Sequence, residues 1–69
     1  MWFFFKVKCW NDIDGDYNNE GAVIGKSFDD ACKRIVNWYG TDLIDLELSE
    51  GDEDILLKEE MIERFKENE

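Results

Sequence analysis

The sequence predicts a small α+β domain, an antiparallel sheet of three or four strands with helices packed on it, in the order β-β-α-β-(β)-α. Residues 2–10 and 42–49 have the aromatic, branched or alternating side chains of strands. Residues 28–39 repeat apolar side chains at helical spacing between clear start and stop signals. A chain of 69 residues has room for one domain, 1–69, with a thin core.

Residues 2–10 form the first predicted strand. Alternation puts Phe3, Phe5, Val7 and Cys9 on a core face. Trp2, Phe4, Lys6, Lys8 and Trp10 share the other face, whose mixture of rings and lysines suits partial exposure. Residues 11–19, rich in Asn, Asp and Gly, read as a long acidic loop. Residues 20–26 read as a second strand paired with the first in a hairpin, with Gly21 and Gly25 marking a bulge or a close approach of backbone.

Residues 28–39 are the clearest helix. Ser27 is a good N-cap, Asp29 and Asp30 suit the positive end of the dipole, and Gly40 stands where a C′ residue belongs. Phe28, Ala31, Cys32, Ile35, Trp38 and Tyr39 form its apolar stripe. In residues 42–49, Ile44, Leu46 and Leu48 share one face and Asp45 and Glu47 the other. Residues 50–54 are a charged turn, and 55–57 a short fourth strand. Residues 58–67 read as a helix with Met61, Ile62 and Phe65 inward, Leu57 joining that stripe, and its glutamates outward. Like charges at i, i+4, such as Glu59 and Glu63, oppose this helix by a few tenths of a kcal/mol, so packing must hold it.

Composition excludes several classes of function. The chain has no His and two Cys, too few ligands for a structural zinc site and no partner base for a nucleophilic thiol. Cys9 and Cys32 therefore read as reduced core thiols. Asp12, Asp14 and Asp16 start an EF-hand-like count, but Tyr17 stands where Gly belongs and Val23 where Glu belongs. A metal-binding loop is the third-ranked reading, behind a solvated hairpin, and no cofactor is expected. No apolar run reaches the roughly 18 residues of a membrane span, and the start lacks the pattern of a secretory signal. A cytoplasmic, non-enzymatic protein is expected.

Charge and aromatics supply the positive leads. The formal charge is −10, which opposes contact with nucleic acid or anionic membrane and favours basic partners. Residues 1–41 carry five basic and six acidic side chains, whereas residues 42–69 carry three and twelve. Asp45, Glu47, Asp52, Glu53, Asp54, Glu59, Glu60 and Glu63 are the candidate contacts with a basic protein surface. The core can absorb Phe3, Phe5, Phe28, Ile35, Trp38, Leu46 and Phe65. Trp2, Phe4 and Trp10 point the other way and read as apolar anchors or dimer contacts, unless the last helix crosses over to cover them. A homodimer through the open sheet face or the first strand's edge would bury them.

The strand 2–10, the acidic loop, the helix 28–39 and the acidic tail together resemble small proteins encoded by bacteriophages and other mobile elements. The chain is similar in size, charge and element order to acidic inhibitors of bacterial defence systems, including anti-CRISPR proteins. That resemblance implies an inhibitor that occupies the basic groove or activation surface of a nucleic-acid-binding or defence protein, in some cases as a DNA mimic. The alternative is a self-associating accessory protein whose charge serves solubility alone.

Overall fold

The computed structural model describes residues 1–50 and 53–67. Strands β1 (Trp2–Asn11), β2 (Gly15–Ile24), β3 (Leu43–Glu50) and β4 (Glu53–Leu57) form one antiparallel sheet in the order β2-β1-β3-β4. Helices α1 (Phe28–Tyr39) and α2 (Glu59–Glu67) pack on one face of it, with a 3-10 turn at Gly40–Asp42. The expected α+β architecture and element order are present, the fourth strand included.

Alternation along β1 decides the layers. Phe3, Val7 and Cys9 are buried against Ala31, Cys32, Ile35 and Val36 of α1, and against Ile62 of α2. Leu43, Leu46, Leu48 and Leu57 complete this single core. The ring of Phe3 meets Phe28 edge-on at 6.4 Å, and Phe5 meets Tyr39 at 6.3 Å. The core is entirely apolar among the described residues, so its energy is burial and packing.

Local chemistry explains the elements. Ser27 Oγ accepts the Asp30 N–H at 3.2 Å and caps α1. The Lys26 N–H donates to the Asp30 carboxylate at 2.8 Å, and Arg34 Nε donates at 3.2 Å. These bonds, the Lys26 one foremost, hold that carboxyl below the usual range. Gly40 ends the helix at φ 61°, its N–H donating to the Val36 carbonyl.

Several expectations are corrected. The loop is not nine residues long: the strands run on to Asn11 and from Gly15, leaving a turn at residues 12–14. Asn11 Oδ1 accepts the N–H groups of Ile13 at 2.9 Å and Asp14 at 2.6 Å, and Gly15 leaves the turn at φ 71°. The polar residues that look like loop belong instead to a solvated edge strand. In β3, Lys8 lies opposite Asp45 but Cys9 opposite Leu43, so Ile44 is the extra residue of a bulge. Leu43 takes the core position expected of Ile44, which is half-buried.

Trp38, expected in the core, is 83% exposed. Val36 and Trp38 stand on opposite shoulders of the α1 stripe, roughly 80° from its centre at 100° per residue. Val36 lies inside and Trp38 outside, beside β2. Met61 is half-exposed, a step of about 100° around α2 from the buried Ile62. Strand β1 is central, so it offers no free edge for a dimer.

Candidate binding face

Among the described residues, no helix lies on the second face of the sheet. Both helices pack on the core side, where they also touch each other, so α2 does not cross over to cover the aromatics. Trp2 is 61% exposed, Phe4 63% and Trp10 47%. Three large rings on one uncovered face favour contact with another surface.

Strand register fixes their neighbours. One row across the face reads Glu20, Lys6, Glu47 and Leu56, and the next reads Asn18, Lys8 and Asp45. On the other side lie Ala22, Phe4, Ser49 and Asp54, then Ile24 and Trp2. Ser49 Oγ donates to the Phe4 carbonyl at 3.4 Å. Trp10 lies opposite Asp16 at the far end. Lys6 thus faces Glu20 and Glu47 across the strands and Lys8 faces Asp45, an arrangement of opposite charges that antiparallel neighbours favour. The two lysines stand against Asp16, Glu20, Asp45, Glu47 and Asp54, so the face stays acidic. Two shallow depressions run along it, one by Lys6, Lys8, Asp45 and Glu47, the other by Phe4, Ala22, Ser49 and Asp54.

The candidate carboxylates divide between the two layers. Asp45, Glu47 and Asp54 lie on the uncovered sheet face. Glu59, Glu60 and Glu63 are exposed on α2, in the helical layer. Asp52 lies outside the described residues, as does the side chain of Glu53. Sequence reasoning missed Glu20, Ala22 and Ile24 as members of the face. Their signal was the alternation of residues 16–24, masked by the Asn and Asp content of that stretch.

A second polar group lies at the hairpin end. Tyr17 O–H donates to Asp42 Oδ2 at 2.9 Å, and Asn11 Nδ2 donates to the same oxygen at 3.1 Å. These bonds fasten the end of β1 and the start of β2 to the 3-10 turn. The bond to Asp42, and burial after it, hold the Tyr17 phenol well above its ordinary range. Burial pushes the Cys32 thiol up to about 12, with the Asp29 charge adding to it. Burial also raises the Cys9 thiol, opposed by the neighbouring Tyr17 hydroxyl. Protonated, enclosed thiols are poor nucleophiles.

A pH dependence follows. Tyr17 and Cys32 hold their protons more tightly folded than unfolded, where they ionise near 10.0 and 9.0. Their contribution to stability is complete below about pH 9 and is lost as pH rises above it. Urea midpoints should fall between about pH 8 and about pH 11, and Tyr17→Phe should flatten the decline above about pH 10. An unchanged slope in that variant would exclude the phenol as its source.

Among the described residues, no three His, Cys, Asp or Glu side chains converge as metal ligands. Asp12 and Asp14 sit in the turn, while Asp16 belongs to the uncovered sheet face. No described helix is long and apolar enough to cross a membrane. The fold and face define a two-layer α+β protein with one sheet face open. No family model matches the chain, and neither a curated protein nor a solved structure does.

Proposed function

We propose that this is a non-enzymatic, acidic protein-binding module that docks its uncovered sheet face on a basic surface of another protein. The observation that carries this is the face itself, where the exposed rings of Trp2, Phe4 and Trp10 surround a net-acidic array containing Asp45, Glu47 and Asp54. Aromatic anchors amid charged groups suit recognition of a basic groove, with Arg and Lys of the partner meeting both rings and carboxylates. In keeping with the resemblance above, the partner is a nucleic-acid-binding or defence protein of a bacterium, which the module inhibits by occupying its basic surface. Glu59, Glu60 and Glu63, on the other layer, do not join one flat contact with Asp45 and Glu47. They strengthen the long-range field that speeds encounter.

Capture from a bacterial lysate at low salt tests this. The double variant Phe4→Ser with Glu47→Lys should lose the partner. The triple variant Glu59→Lys, Glu60→Lys, Glu63→Lys should keep it and associate more slowly. The complex should weaken steeply with salt. Retention that ignores ionic strength would remove the electrostatic mechanism, and loss in the triple variant alone would move the site to α2.

A further inference from the structure

We infer that the free edge of β2, with the apolar groove beside it, is a self-association surface that joins two copies of this chain into a continuous eight-stranded sheet. This does not depend on the partner-binding reading. β2 is an outer strand of ten residues, paired without interruption to β1 along its inner side. Its outer side leaves alternate N–H and C=O groups free of the ladder. Several devices that blunt such edges are missing: β2 contains no Lys, no Pro and no bulge, and its charged side chains are confined to Asp16 and Glu20.

The surroundings are apolar toward the C-terminal end of the strand, where Ala22 and Ile24 adjoin α1. A groove of roughly 590 Å³ runs between β2 and α1, lined in part by Trp2, Ile24, Ile35, Trp38 and Tyr39. Trp38 is 83% exposed and Ile24 53%. Trp2, Trp38 and Ile24 alone offer on the order of 400 Å² of apolar surface, given ~150–250 Å² per aromatic side chain. That is about half of the ~800 Å² each partner contributes to a standard interface. The strand edge and the flank of α1 supply the rest.

The charge layout selects a second copy and selects this edge. Sheet order puts β2 at one end and the acidic β3–β4 half at the other. Joined through β2, the two β4 strands lie seven strand spacings apart, about 34 Å. That is several Debye lengths of ~8 Å, so the like-charged halves barely interact. An antiparallel pairing with its two-fold axis at Gly21 sets Glu20 opposite Ala22 and Asn18 opposite Ile24, and leaves Asp16 beyond the partner strand's end at Ile24. No carboxylate then faces a carboxylate. The two α1 helices come side by side over the joined strands, and each Trp38 fills the gap between them. β4, by contrast, has five residues and an exposed Asp54.

Sedimentation equilibrium of the full chain, from low to a few hundred micromolar, tests this. The expected species is a dimer of two 8.2 kDa chains. Trp38→Lys and Ile24→Lys should each raise Kd at least about tenfold. Leu56→Lys, on the far strand, should leave Kd unchanged. The dimer should not weaken between about 0.15 M and about 0.5 M salt, because no opposite charges pair across it and its like-charged halves are already screened. A basic-partner complex does weaken, so the two readings fail separately. A monomer at every concentration overturns the inference. So does a dimer that Leu56→Lys breaks, or that neither Trp38→Lys nor Ile24→Lys weakens. Should a variant melt early by circular dichroism, amide exchange of the unaltered chain decides alone. Concentration must slow exchange along β2 and leave β4 unaffected.

Discussion

Phe3→Ala should cost about 3–5 kcal/mol, while Phe4→Ala, one residue along, should cost less than about 0.5 kcal/mol. Phe3 is fully buried at the centre of the core with its ring against Phe28. Truncation removes the transfer energy of the ring and leaves a cavity that the thin second layer cannot fill. At roughly 0.05–0.15 kcal/mol per residue, the whole domain has about 3–10 kcal/mol of stability, so this one change removes most of it. Phe4 is 63% exposed on the uncovered face and loses little on truncation. Denaturation should be followed by circular dichroism, because Trp2, Trp10 and Trp38 are all exposed in the fold and their emission changes little on unfolding. Equal costs at the two positions would mean that both sheet faces are covered, and would remove the candidate binding face with them.

Gly25→Ala should cost about 2–3 kcal/mol and lower Tm by about 8–24 °C, at 4–8 °C per kcal/mol for a domain of this size. Gly25 is buried between the end of β2 and the first turn of α1, and its N–H donates to the Met1 carbonyl at 3.0 Å. A Cβ there would lie 2.8 Å from the Ala31 backbone nitrogen and 3.0 Å from Ala31 Cα. The obstruction is helix backbone, which cannot rotate aside as a side chain can. The helix must move off the sheet, or β2 must end earlier. A thermal melt within about 3 °C of the unaltered protein would show that the close approach is not what joins these elements.

Much of the fold is legible in short-range pattern. The parity of β1 separates Phe3, Phe5, Val7 and Cys9 from Trp2, Phe4 and Trp10, because a strand alternates whatever surrounds it. Ser27 and Gly40 bound α1 because capping is local hydrogen-bond chemistry. The second strand was legible only in part. Its Asp, Asn and Gly residues favour turns in isolation, and pairing with β1 overrides that preference. Ile44 was misplaced because a bulge is a property of two strands in register, which one strand's alternation cannot reveal. The candidate site was half legible: its rings and the acid content of residues 42–69 stand in the sequence, but their division between layers does not.

The order of residues by itself therefore determined the α+β class, the α1 boundaries, the two faces of β1 and the excess of negative charge. Each depends on neighbours within a few positions of one another. Only the tertiary structure decided that β1 is central, that β2 is a bare edge, that Trp38 lies outside, and that Glu59, Glu60 and Glu63 stand on the layer opposite Asp45 and Glu47. Those outcomes depend on which elements pair and on which side both helices settle. Burial of the shared core between residues as distant as Phe3 and Ile62 settles that choice, and no local pattern encodes it.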